Sequence, residues 1–341
     1  MAGALDHQVG WIPEVTYGTP LTVTRFGEWD LGNSEHDWDP KPVQGTGMQV
    51  GDGGFARADR SVAVVGQGSG KIGLDIVPKG LGNLLNGPFG TGVTTLVGGT
   101  TWQQLFTTNL TGSLLPAYTL QYGVVRSDSG GTVDAYTYSG VTFPKLTLSC
   151  ETGDVLKGEW EWDARSQTKV TALATAAYTN TFTPFHFGQA AATFGGALVV
   201  PTTTVMGSGG TAATNIKSFS LELDNQADTD RWVFGGTRNQ PRVAKRVATI
   251  TMEAEYDAAT YDDAMVGHTT VGVSLTFTTT DALSTGFTQF QIMAPACKVT
   301  AGGRPSPTDE TPTTELELEV KKPSSGAALY VAVRTSDATN L

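Results

Sequence analysis

The stretch Gly66-Gln67-Gly68-Ser69-Gly70-Lys71 carries the residue types of a phosphate-binding loop. Such a loop needs a glycine five positions before the Gly-Lys pair, for close backbone approach, and a Ser or Thr after the lysine to reach Mg²⁺. Val65 and Ile72 occupy those positions, and a strand-like alternation follows where a helix should receive the phosphate. The stretch is expected to be a glycine turn between two strands, Ser61–Val65 and Lys71–Val77. Carboxylates recur at alternate positions in Glu159 and Glu161, and in Glu315, Glu317 and Glu319. Paired carboxylates can cleave a glycoside when burial splits their pKa values. Alternation instead sets them opposite the apolar residues of a strand, which predicts a solvated sheet face. Asp224–Asp230 offers several oxygens but lacks the glycine and terminal glutamate of an EF-hand loop. His7, His36, His186 and His268 are scattered without ligand spacing, and none neighbours a cysteine. No G-x-S-x-G elbow presents a nucleophile. The expectation is no catalytic, cofactor or metal site, and no enzyme.

The elements that hold these residues are β. The chain has 341 residues, 39% of them hydrophobic, with 42 glycines and abundant threonine. Thr, Val and aromatics suit pleated surfaces and glycine punctuates turns, while the length suggests about two domains. The formal net charge is −11, and the acidity is shared between the halves. That balance argues against a surface that grips nucleic acid, because phosphates demand Lys and Arg. Cys150 and Cys297, the only cysteines, each fall among apolar residues and read as small buried hydrophobes rather than a disulfide. No apolar run approaches the ~18 residues of a membrane helix. Residues 1–7 have neither a basic nor an apolar leader pattern, so no secretory signal is expected.

The chain is organised around Pro144–Asp163. Leu146, Leu148 and Cys150 alternate with Lys145, Thr147 and Ser149; beyond Gly153-Asp154, Leu156, Trp160 and Trp162 alternate with Lys157, Glu159 and Glu161. This predicts an antiparallel hairpin with one buried face. Thr314–Val320 and Ala327–Arg334, around a Pro323–Gly326 turn, look like a second such hairpin. Residues 1–25 read as an extended arm, 26–170 as a first β-domain with a long loop at 32–59, 171–214 as an Ala/Thr/Gly-rich linker, and 215–341 as a second β-domain. Within the loop, Trp38 and Phe55 suggest docking on a partner. Other strands are expected at Phe26–Leu31 and Leu114–Val125, and helices at Lys79–Gly87 and Asp257–Gly267. The second half repeats the order of the first: Ser218–Asp224 matches the strand at Phe26, Arg246–Ala254 matches Lys71–Val77, one helix matches the other, and Phe290–Ala294 matches Tyr118–Tyr122.

Gly10-Trp11-Ile12-Pro13-Glu14-Val15-Thr16-Tyr17-Gly18-Thr19-Pro20 followed by Thr24-Arg25-Phe26 resembles the xGxxxExTYGTPxxxTRF signature of long, non-contractile phage tail tube proteins of the two-part group. Gly70–Ile76, Leu81–Gly90, Leu148–Glu151 with Glu159–Asp163, and in the second half Leu223–Asn225 and Arg246–Glu253 are also similar. The resemblance implies a mainly β fold of duplicated tail-tube-type β-sandwich or partial-barrel units, each with one short packed α-helix. It implies a virion protein, assembled in the host cytoplasm, whose copies form stacked rings around a channel for DNA. Two units per chain imply three chains per ring, a pseudo-hexamer. The implied partners are the chain itself and the tail terminator, tape measure and distal tail proteins, with DNA passing unbound and no membrane involved. Residues 32–59 and the N-terminal arm are expected to staple adjacent rings. A different reading of the same β pattern is a carbohydrate-binding or adhesin-type β-sandwich of a virion or cell surface, with Trp160 and Trp162 as an exposed platform.

Overall fold

The computed structural model describes residues 7–28, 33–47, 55–109, 112–126, 132–169, 172–178, 183–256, 260–302 and 312–338. The first half contains β1 (Gln8–Pro13), β2 (Arg25–Gly27), β3 (Glu35–Gln44), β4 (Ser61–Asp75), α1 (Gly82–Phe89), β5 (Thr91–Gly98), β6 (Thr101–Thr107), β7 (Tyr118–Val125), β8 (Val133–Cys150), β9 (Lys157–Ala164) and β10 (Ser166–Thr168). The second begins with β11 (Ala190–Phe194), β12 (Leu198–Val199), β13 (Ser208–Gly209), β14 (Ala212–Ala213) and β15 (Ile216–Asp224). Four two-residue strands follow: β16 (Ala227–Asp228), β17 (Trp232–Val233), β18 (Thr237–Arg238) and β19 (Arg242–Val243). It ends with β20 (Val247–Glu255), α2 (Thr260–Val266), β21 (Val271–Ala282), β22 (Phe287–Ala301), β23 (Thr313–Val320) and β24 (Tyr330–Thr335).

The two halves pair their strands in the same antiparallel order. The first runs β2-β1-β7-β8-β9-β4-β3. The second runs β14-β11-β21-β22-β23-β20-β15. A helix follows β4 and another follows β20. Even a bulge recurs: Tyr118 and Leu120 face Val141 and Tyr138, and Val271 and Val273 face Cys297 and Ala294. Such two-against-three irregularities bend a strand, and β8 and β22 each change partners there, from β7 to β9 and from β21 to β23. The registers make Val141 equivalent to Cys297, Lys145 to Ala301, Trp160 to Leu316, Lys71 to Thr251 and Asp39 to Asp224. The first half adds the β5–β6 hairpin, and β24 ties it to the second by pairing with both β6 and β22. Most buried apolar side chains of both halves form one contiguous core, and Met293, Ala327 and Tyr330 form a small second cluster.

The Pro144–Asp163 hairpin forms as β8 and β9, with Leu146, Leu148, Trp160 and Trp162 buried. The stretch at 314–334 is not a hairpin. β23 pairs with β20 and β22, and β24 pairs with β22 and β6. Alternation fixes which way a side chain faces but not which strand lies alongside, and the longer β22 takes both. The repeat match for Tyr118–Tyr122 is therefore β21, not Phe290–Ala294, and the match for β15 is β3, not the strand at Phe26. That strand covers Arg25–Gly27, and residues 29–32 lie outside the described ones. The expected Leu114–Val125 strand begins at Tyr118. Gln8–Pro13 and Ala190–Phe194, expected in an arm and a connection, are inner strands, with Trp11 and Phe194 buried against β7 and β21. Glu35–Gln44 forms a strand inside the expected loop, its Pro40 and Pro42 tolerated at a sheet edge.

The glycines of 66–71 do not turn. They lie mid-strand in β4. A Cβ on Gly66 would stand 2.3 Å from the Trp38 ring, and one on Gly70 would stand 2.1 Å from the Glu35 carbonyl oxygen. Glycine here admits the close approach of a neighbouring strand and its indole. Helix α1 runs past Gly87 to Phe89 and stops at Gly90, whose φ of 79° gives a left-handed cap. Pro88 lies inside it and supplies no N–H to Leu84. The Trp160 indole donates to the Leu84 carbonyl instead, at 3.1 Å.

Cys150 and Cys297 are free thiols in the core. Burial pushes them up, to about 11 and to about 12. The thiolate is the reactive form, so titration of the native protein with a disulfide reagent at pH 8 is expected to register neither, and both after denaturation. Fast native labelling would contradict the packing described.

Candidate functional surface

One sheet crosses the whole chain. Its order is β3-β4-β9-β8-β15-β20-β23-β22. The two halves meet at β15 and β8, where Phe219 faces Cys150 and Asp224 faces Lys145. Alternation sends Ile72, Trp160, Leu148, Leu221, Ile250 and Leu318 into the core. The opposite face carries Glu35, Asp37 and Asp39 on β3, Glu159 and Glu161 on β9, and Glu222 on β15. It continues with Glu253 and Glu255 on β20 and Glu315, Glu317 and Glu319 on β23. The carboxylates singled out in the sequence thus belong to one surface, and they lie on it as a solvated array.

Lysines offset part of this charge. Lys145 lies 3.3 Å from both Glu161 and Glu222, and Lys71 lies 3.7 Å from both Glu35 and Glu159. These pairs are largely exposed and each is worth roughly 0–1 kcal/mol. Elsewhere like charges meet. Glu253 stands directly opposite Glu315 across β20 and β23, an arrangement that destabilises a sheet. The acidity is not arranged for stability.

Beyond Gly68, where its pairing with β9 ends, β4 pairs among the described residues only with β3. Ser61–Gln67 and Asp39–Gln44 form a two-stranded arm. Val43, Val62, Val64 and Phe55 on and near it are exposed, Phe55 at 81%. Clustered exposed apolar side chains mark interaction surfaces.

The joint between halves is fixed by buried polar groups that spacing did not reveal. Arg238, in the β15–β20 connection, is fully buried against Asp163 at the end of β9. Its Nε donates to the Thr229 carbonyl at 2.7 Å and a terminal nitrogen to Ala164 at 2.8 Å. Gln67 donates to the other Asp163 oxygen at 2.5 Å. Burial still pushes the Asp163 carboxyl above its usual range, against the pull of the guanidinium. Arg246 donates to the carbonyls of Thr108 at 2.9 Å and Phe89 at 3.1 Å, and burial lowers it to about 10. Asn225 donates to Pro88 and Pro144, each at 3.0 Å. These partners are far apart in sequence and no local pattern announces them.

The groups read for chemistry do not converge. His36 stacks on Tyr122, with centroids 4.6 Å apart, and its Nδ1 lies 2.9 Å from the Tyr138 hydroxyl; burial holds it below the usual histidine range. Glu14 accepts from the Gly18 N–H at 2.7 Å, and from the Thr119 hydroxyl and the Gly140 N–H at 2.9 Å. Burial outweighs these donors and raises its pKa. It locks the turn after β1. Among the described residues no three of His, Cys, Asp and Glu gather as metal ligands, and no helix is long and apolar enough to cross a membrane. A recess of about 420 Å³ between β11, β15 and β21 is walled by Ala191, Ala213, Ile216, Phe219 and Phe277, with Cys150 and Lys217 its only titratable groups. Trp160 and Trp162 are 0% and 2% exposed, so they form no platform for a sugar.

The described surface offers a broad acidic sheet, an apolar arm and strand edges, which suit assembly. No curated protein matches the chain. The family model described as "Phage tail tube protein" matches residues 4–320. With a mainly β fold built twice and a match spanning nearly its whole length, the chain belongs to the phage tail tube protein family, and is a structural component of the virion tail.

Proposed function

We propose that three chains close into a ring, that rings stack into the tail tube, and that DNA travels along the acidic face of the eight-stranded sheet. The observation that carries this reading is that face. It is continuous across both halves and keeps Glu253 against Glu315 at a cost in stability. A wall of that sign does not hold a polyanion in transit. Two tube-like units per chain, within 26–170 and 215–341 and joined through 171–214, make a ring of three chains pseudo-sixfold. Each unit borrows a strand from the segment before it, β1 or β11.

The arm of β3 and β4 supplies contacts between rings, and its exposed Val43, Val62, Val64 and Phe55 are the anchors. At its ends the tube meets the tail terminator and distal tail proteins, and the tape measure protein occupies its lumen until DNA replaces it. Assembly takes place in the host cytoplasm.

Cryo-electron microscopy of the purified protein at rising concentration tests the reading. Stacked rings with three chains each and the acidic face inward are expected. Six chains per ring overturn the stoichiometry, and a lone particle indifferent to concentration overturns the whole. Replacing residues 46–56 with two glycines, and Val43 and Val64 with serine, should leave soluble chain that makes rings but no tubes. Tubes of normal length from that variant would remove the arm from the account.

A further inference from the structure

The two halves share a plan, and one cluster of side chains departs from it. By register, the second-half equivalents of His36, Tyr122, Tyr136, Tyr138 and Trp162 are Leu221, Leu275, Ile292, Ala294 and Leu318. Those five are buried, so aliphatic packing suffices at these positions. The first half instead sets an imidazole among three phenols and an indole. The imidazole belongs to β3. Among the described residues β3 pairs only with β4, and of its ten residues only His36 and Trp38 are partly buried. His36 is thus one of two side chains that hold this strand to the body of the protein. Its ring stacks on Tyr122 at 4.6 Å between centroids, with Tyr136 at 5.2 Å and Tyr138 at 6.0 Å.

The hydrogen bonds around it assign its protonation. The Tyr138 hydroxyl accepts from Gln167 Nε2 at 2.9 Å, which leaves its own proton for His36 Nδ1, also at 2.9 Å. Nδ1 is then an acceptor, and the ring is neutral with its proton on Nε2. An imidazolium would carry a second donor at Nδ1, facing that O–H, and the phenol would have to find another acceptor. Burial adds to the cost of the charge. Asp37, on the same strand, favours protonation, and His7, ahead of β1, opposes it. Lys169, beyond β10, stands over the Tyr136 ring at 4.4 Å. The phenols of β7 and β8 are uncharged in this pH range, and β4 and β9 present Gly70 and Trp162, which do not titrate.

We propose that His36 is an acid-released latch: protonation of its imidazole frees β3, and the arm that β3 begins, from the tyrosines of β7 and β8. The latch acts within a single chain, whether or not the arm joins rings. A released histidine titrates at about 6.5, and the docked ring titrates lower. The docking that His36 contributes is therefore fully present above about pH 6.5 and weakens as pH falls below it. Opening should grow by up to about tenfold per pH unit until the docked value is reached. Leu221 gives the equivalent strand β15 no such dependence.

Amide hydrogen exchange reads the latch, on the full chain at a concentration too low for assembly and corrected for the pH dependence of unstructured amides. Between pH 7.5 and pH 5.5, opening across Glu35–Asp39 is expected to rise roughly three- to tenfold, with Ser220–Asp224 unchanged. His36→Leu, which installs the second half's residue, should abolish the rise. Tyr138→Phe keeps the ring but removes the proton donated to Nδ1, and should reduce it. No rise in the wild-type chain, or an equal rise in His36→Leu, overturns the latch. Should the leucine variant not fold, NMR of the four histidine rings decides instead: a His36 midpoint below about 6.5 is expected, and one at or above it overturns the latch.

Discussion

Replacing Arg238 with methionine is expected to lower the melting temperature by about 8 °C, through a loss of roughly 3–5 kcal/mol. The guanidinium is fully buried and its Asp163 partner nearly so. Removing the cation strands a carboxylate away from water, with Gln67 as its remaining side-chain partner. The penalty is that of the orphaned charge, not the worth of the pair. Adding Asp163→Asn to the same chain should therefore restore most of the loss, because two neutral groups of similar size cost little to bury.

The pH dependence separates this mechanism from simple loss of packing. The Asp163 carboxyl already sits above its usual range. A carboxyl raised in the folded state contributes stability that is fully present below its unfolded value, about 3.9, and is lost as pH rises through the folded value. The methionine variant raises it further. Its deficit should be largest at pH 7 and shrink toward pH 4, as followed by thermal scans across that range. A deficit constant with pH would assign the effect to packing alone.

The second large effect belongs to Trp160. Truncation to alanine should cost roughly 3–5 kcal/mol, as for other fully buried aromatics. Part of that is not volume. Pro88 leaves the Leu84 carbonyl without its helical donor, and the indole N–H fills the gap. Trp160→Phe keeps most of the ring but orphans the carbonyl, at about 1–3 kcal/mol. Urea denaturation should rank wild type above Trp160→Phe above Trp160→Ala. If phenylalanine equals wild type, the indole bond carries nothing.

Much of the fold is legible in alternation. The β8–β9 hairpin, its buried tryptophans and its solvated glutamates follow from period-2 patterning, because one face of each strand meets the core and the other meets water. The helix after β4 and the helix after β20 follow from apolar spacing. The partner of each strand does not follow. Thr314–Val320 and Ala327–Arg334 alternate like a hairpin, yet both lie against β22. Strand pairing is decided by which long strand is available in space, and that information is spread over the whole chain. The glycines of β4 misled for a related reason. Glycine reads as a turn when its neighbours are unknown, and only Trp38 and the Glu35 carbonyl, pressed close, reveal why no side chain fits. The acidic surface is half legible. Each glutamate pair announces an exposed strand face, but the joining of those faces needs β15 on β8. The Arg238–Asp163 contact has no sequence signal at all, since 75 residues separate the two.

The joint of β15 on β8 has a kinetic corollary. In a ring built as proposed, half of the lateral junctions form during folding, inside a single polypeptide. A tether holds such edges at effective concentrations in the millimolar range, so only the remaining junctions depend on how much protein the infected cell has made. A duplicated subunit should accordingly nucleate at lower abundance than one carrying a single copy of the motif. It also frees the two copies to diverge, because each junction type is now made by its own, separately mutable pair of edges.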